Sequence, residues 1–148
     1  MKRGPAQRGF TLVEIMIAVV IIGLLAVIAV PTFAKLRTRS VATRLINDIR
    51  QYSDAYQRYS LENGAWPPVG GVSEMPTGME LLLPKAYEQP SPVGGGFTWS
   101  GDSARMRLTN ATGATETIMI LVDQGVADGD LSGGDFRRAG SDFVLQLR

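Results

Sequence analysis

Glu14 is a carboxylate set inside an apolar run, and Gly9 stands just in front of that run. A charge in such a setting calls for a cationic partner, because an ion removed from water is stable only when paired. The small residue points to a different reaction. Lys2, Arg3 and Arg8 precede the junction with no acid among them, and the apolar run follows it. An ordinary secretory signal has a shorter apolar region with its small-residue cleavage site behind it. Here the order is reversed, so hydrolysis of the Gly9–Phe10 bond would leave the apolar segment on the product and a new amine on Phe10.

A second set of oxygens lies near the other end of the chain, in Asp128, Asp130, Ser132 and Asp135. Asp128, Asp130 and Ser132, with Gly133 after them, reproduce the alternating ligands of the first half of a calcium loop. The second half is missing, because Ala139 stands where an EF-hand needs its Glu. Two readings remain: a loop that holds Ca²⁺, or an Asp/Gly turn with water-facing acids. Catalysis has no comparable support. The chain has no cysteine and no histidine, so disulfides, thiolate metal sites and the commonest general base are all excluded. No Ser or Thr has a recognisable activating neighbour, and the chain reads as a non-enzyme.

These residues must be carried by elements of defined kinds. Residues 10–30 hold fourteen Phe, Leu, Ile or Val, and only Thr11 and Glu14 break the apolar character. At about 1.5 Å per residue such a helix is roughly 30 Å long, the thickness of a bilayer core. Fourteen such side chains favour insertion by about 4 to 8 kcal/mol. That exceeds the cost of one carboxylate near an end. Beyond Pro31 the helix turns amphipathic: Val41, Leu45, Ile49, Tyr52, Tyr56 and Tyr59 form one apolar stripe. Lys35, Arg37, Arg39 and Arg44 lie just past the apolar segment, where they face solvent, lipid phosphate or acidic neighbours. Asn63-Gly64 and Pro67-Pro68 stop the helix.

The motif Gly9-Phe10-Thr11-Leu12-Glu14, with the apolar run ending Ala29-Val30-Pro31, resembles the type IV pilin and type II secretion pseudopilin family. The resemblance covers about the first thirty residues. It implies that a prepilin peptidase on the cytoplasmic side cuts between Gly9 and Phe10 and methylates the Phe10 amine. It also implies that Glu14, fifth residue counted from Phe10, pairs with the N-terminal amine of a neighbouring subunit during assembly. The expected partners are the peptidase, other pilin or pseudopilin subunits and an inner-membrane assembly platform. The protein would sit in the inner membrane by a single pass, its head outside the cytoplasm, before joining a periplasmic or surface fibre. Major pseudopilins hold calcium in their C-terminal loop, which gives the Asp128–Asp135 segment an analogue in the right region. Many pilins close that region with a disulfide, which this chain cannot form.

The expected organisation is therefore a leader (1–9), a transmembrane helix (10–30), its amphipathic continuation (31–63) and a head (64–148). The fold class is α+β, a long N-terminal helix packed on a small antiparallel sheet. Residues 64–96 read as a Pro/Gly-rich connector, with a helical turn at 78–83 and Trp66 docked on the core. Phe97–Ser100 and Ala104–Thr109 flank a Gly101-Asp102 turn and read as a hairpin. Thr117–Val122, apolar on both faces, reads as a central strand, and Asp142–Leu147 as the last one. The formal charge is +1; without the leader cations it is 12 basic against 14 acidic groups, and no nucleic-acid partner is expected. The expected function is a structural subunit of a type II secretion pseudopilus or a type IV pilus. Its retained Glu14 argues against the tip subunits that often lack it. The alternative is a membrane-anchored binding module that does not polymerise.

Overall fold

The computed structural model describes residues 10–147. The chain divides between Arg37 and Thr38 into two compact units. Helix α1 (Leu12–Asn63) supplies all of the regular structure described for the first. It starts where Thr11 can cap it and runs through Pro31. Its N-terminal stretch is long and apolar enough to cross a membrane, and its large apolar side chains, from Leu12 to Leu36, are all exposed.

In the second unit the expected stripe is the core. Leu45, Ile49, Tyr52 and Tyr56 are buried, with Val41 and Tyr59 half-buried at its ends. Helix α1 ends at Gly64, whose φ of +71° gives the left-handed turn and whose amide bonds the Ser60 carbonyl. The connector then wraps this helix. The Leu83 amide bonds the Met79 carbonyl and closes the expected single turn, and a 3₁₀ turn at Lys85–Glu88 buries Tyr87. Trp66 is half-buried, its ring 5.5 Å from that of Trp99.

The sheet has four antiparallel strands in the order β1-β2-β4-β3: β1 (Gly96–Trp99), β2 (Arg105–Thr109), β3 (Phe136–Ala139) and β4 (Asp142–Gln146). Strands β1 and β2 form the expected hairpin, closed by a 3₁₀ turn at Gly101–Ser103. Phe97, Trp99, Met106, Leu108, Phe136, Phe143 and Leu145 share one face by register, and all are buried. Aromatic rings seat that face on α1: Tyr56 stacks on Trp99 at 3.9 Å, and Tyr52 meets Phe97 edge-on at 5.1 Å.

One expected strand is a helix. Thr117–Val122 lies within α2 (Glu116–Val126). A short apolar run does not by itself distinguish a strand from a buried helix. Here the flanks decide. Thr115 caps the segment, its Oγ1 accepting from the Ile118 amide at 3.4 Å, and Glu116 favours the positive end of the helix. The buried residues Ile118, Met119, Val122 and Asp123 then fall on one helical face. The strand that takes the remaining place is β3. Its two-residue connection to β4, Gly140-Ser141 with Gly140 at φ +66°, is a hairpin signature. The acidic loop therefore runs from α2 to β3 rather than between two strands.

Candidate functional site

The N-terminal site is built on the first turn of α1. Thr11 sits at the cap position and Glu14 at the third helical position. The Glu14 carboxylate accepts from the Thr11 amide at 2.7 Å and from its hydroxyl at 2.8 Å, and the Thr11 hydroxyl accepts from the Glu14 amide at 3.3 Å. This is a reciprocal capping box, which satisfies amides that a helix start leaves without partners. The carboxylate expected to pair with a neighbour's amine thus also has a local role. Phe10 is 84% exposed beside it. Gly9, the other half of the expected cleavage bond, lies outside the described residues, as does the leader before it.

The second site follows α2. Asp128 accepts from the Asp130 amide at 3.1 Å, and Asp130 in turn accepts from the Ser132 amide at 3.0 Å and from the Ser132 hydroxyl. These bonds hold the Asp130 carboxyl below its usual range. Gly129 and Gly134 supply the left-handed conformations the loop requires, and a Cβ on Gly134 would stand 2.9 Å from an Asp128 carboxylate oxygen. Sequence reasoning named Asp128, Asp130, Ser132 and Asp135 but missed Asp123, on the last turn of α2.

Asp123 is wholly buried, and neither carboxylate oxygen has a hydrogen-bond partner among the described residues. Burial, then the charges of Asp128 and Asp130, raise its affinity for a proton; the nearby Gly129 and Asp128 amides counter this only in part. Three acids therefore feel one another here. Asp135 stands elsewhere, lining a cleft with Arg50, Asp54 and Gln146, while its carbonyl accepts from the Gln146 amide at 2.7 Å. The side chains do not form a closed cage: among the described residues no three acids converge as a ready metal site. The donor chemistry nonetheless suits a hard cation. All the donors are oxygens, and a buried carboxylate without a partner is what a cation would neutralise.

The alternation that revealed Asp128 and Asp130 gave no sign of Asp123, which precedes the alternating positions and is buried only because α2 continues through it. Helix α2 is held against α1 from two sides. Arg50 donates to the Gly125 carbonyl in the last turn of α2, and a Cβ on Gly125 would come within 2.5 Å of Ile46.

Residues 4–30 match the family model described as the prokaryotic N-terminal methylation motif. The type IV major pilin protein PilA of Myxococcus xanthus (strain DK1622) is 31% identical over 137 residues, 83% of this chain and 62% of that protein. Two type II secretion system core proteins G are also similar. That of Pectobacterium carotovorum subsp. carotovorum is 34% identical over 89 residues (60% of this chain, 53% of that protein). That of Pseudomonas aeruginosa is 33% identical over 102 residues (69% and 65%). The chain thus spans less than two thirds of the length of each of these relatives. No solved structure matches. With the methylation motif at its start, a long apolar helix behind it and a four-stranded antiparallel sheet on that helix, the chain is similar to the type IV pilins and type II secretion pseudopilins.

Proposed function

We propose that the chain is a structural subunit of a type II secretion pseudopilus or a type IV pilus. Prepilin peptidase cuts it between Gly9 and Phe10 and methylates the Phe10 amine. Residues 10–30 anchor it in the inner membrane, with the head outside the cytoplasm, until it joins a fibre of like subunits through α1. One observation carries this reading: the large apolar side chains of that stretch are exposed. Apolar surface on that scale must be covered by lipid before assembly and by neighbouring helices after it.

Intact-mass analysis of the membrane fraction tests the processing step. The mature mass should correspond to a methylated Phe10 start, and Gly9→Leu should leave the full-length precursor. A mature start elsewhere would overturn the reading.

Asp123, Asp128, Asp130 and Ser132 would hold a calcium ion in the loop after α2, with the orphaned Asp123 carboxylate as the observation in favour. A bound Ca²⁺ supplies the positive charge that this carboxylate lacks and fixes the loop between α2 and β3. At a hundredfold excess over Kd the stabilisation would be about 2.7 kcal/mol. Melting the full chain in neutral detergent with EDTA and with Ca²⁺ should give curves several degrees apart; coincident curves would leave the loop as a turn.

The Thr11–Glu14 capping box favours the second reading, a non-polymerising anchored module, because it explains Glu14 without a neighbour. Glu14→Gln separates the two. An amide serves in a capping box, but it cannot pair as an anion with a subunit's amine. Loss of fibres with an intact helix start supports assembly through Glu14; wild-type fibre yield leaves Glu14 with the cap as its role, and a wild type that forms no fibres supports the module.

A further inference from the structure

The face of the sheet turned away from α1 has a composition of its own. Register places Thr98, Arg107, Val144 and Arg137 in one row across all four strands, with Arg105 beside Gln146 in the next. Val144 is only 4% exposed, yet it stands outside the main core cluster. Its cross-strand neighbours are Arg107 and Arg137, close enough for their aliphatic stems to lie over it.

Each arginine is anchored by one contact. The Arg105 Nε donates to the Gln146 Oε1 at 2.9 Å, and the Gln146 amide nitrogen is itself fixed to the Ser103 and Ala104 carbonyls. Arg107 pairs with Asp142 at 3.6 Å, and Arg137 donates to the Gly134 carbonyl at 3.2 Å. A guanidinium has five N–H donors, so each anchored group keeps donors to offer. Arg105 and Arg107 lie about 7 Å apart along the strand, and Arg107 and Arg137 about 10 Å apart across the sheet. Asp142 is the one acid at the paired positions of this face. The result is a flat, positively charged array on rigid strands, in a unit that carries in all 13 acids against 10 basic groups from Thr38 onward.

We propose that this face binds an acidic polysaccharide, a sugar polymer bearing carboxylate or sulfate groups. Guanidinium forks match both anions. The paired positions of this face offer no aromatic ring, which single-stranded nucleic acid uses for stacking. Duplex binders neutralise more phosphates than three arginines can, and the negative unit around them repels so dense a polyanion. A stable protein contact needs apolar or aromatic anchors in its centre, and the apolar group here is already covered. A polymer with spaced charges and many hydroxyls suits the array, with Thr98 and Gln146 as further polar partners. Exposed charge pairs are individually weak. Assembly into a fibre would repeat the face and multiply its hold on one polymer, a gain that rests on the proposed assembly.

The test uses the full, unassembled chain in a neutral detergent. It is applied to columns carrying polygalacturonate, dextran sulfate, uncharged dextran or short duplex DNA, and eluted with NaCl. One or both charged polysaccharides should retain it, and the two columns tell carboxylate from sulfate. The variant Arg105→Gln/Arg107→Gln/Arg137→Gln should bind about tenfold more weakly, the scale that three exposed charge contacts reach. The charge-matched variant Arg39→Gln/Arg44→Gln/Arg58→Gln should shift far less. If the triple sheet variant does not fold, Arg107→Gln and Arg137→Gln singly carry the test, and each should elute before the wild type. Equal shifts in the two triple variants, no retention on either polysaccharide, or stronger retention on DNA would each overturn the proposal. Glu14→Val should elute as the wild type, so this result is independent of fibre assembly.

Discussion

At the scale of single residues, Glu14 and Asp123 invert what their surroundings suggest. Glu14 lies in the most apolar part of the chain but has donors from Thr11 at 2.7 and 2.8 Å. Asp123 lies beside a polar loop, yet neither of its oxygens makes a hydrogen bond among the described residues, and the nearby Gly129 and Asp128 amides offset its burial only in part. Thr11→Ala removes the cap while keeping the carboxylate; if Glu14 serves assembly, this variant should form fibres far better than Glu14→Val, measured as sheared fibre per cell. Asp123→Asn removes a buried charge that faces Asp128 and Asp130. It should raise the calcium-free melting temperature by roughly a few degrees and abolish any gain from Ca²⁺. A variant melting below the wild type in EDTA would mean that the carboxylate has a partner of its own. Glu14 was legible because a charge in an apolar run needs no neighbour to be noticed. Asp123 was not, because its isolation depends on how α2 folds and on what the following loop brings near.

At the scale of elements, α2 shows where local signals compete. Its apolar run suits a strand or a helix equally; Thr115 at its start and Gly125 near its end decide for the helix against α1. Thr115→Ala should cost about 1 kcal/mol, the usual worth of such a cap. Gly125→Leu should cost more, about 1–3 kcal/mol, because Ile46 already occupies the space of a Cβ. Both are read from thermal melts, and far-ultraviolet circular dichroism should show the Gly125 variant losing order in α2. The amphipathic half of α1 was fully legible, since its spacing repeats over five turns with no competing pattern. Strand β3 was hidden for the opposite reason: Phe136-Arg-Arg-Ala has a single large apolar residue, and its pairing partner β4 rather than its own sequence makes it a strand.

At the scale of the whole molecule, the part from Thr38 onward is held by aromatic packing between α1, the connector and β1, with no disulfide. Tyr56 donates to Tyr87 at 2.9 Å inside this cluster. Burial lifts the Tyr52 and Tyr87 phenols to about 12, and that of Tyr56 further still. A phenol whose folded value lies above its unfolded one near 10 stabilises the fold fully below that pH, and the contribution is lost as pH rises through the folded value. Stability should therefore fall between about pH 10 and 12. The tyrosinate absorbance of these three rings should rise only as the fold is lost; an earlier rise would mean that the cluster is open to water. The chain has two tryptophans, and the fold sets Trp66 of the connector 5.5 Å from Trp99 of the sheet, which is itself stacked on Tyr56. Indoles that close share their excited states, so the pair is an intrinsic optical ruler. Its near-ultraviolet couplet should vanish the moment the connector lifts off, before any helix or strand has melted, and so give label-free access to the order in which the head comes apart.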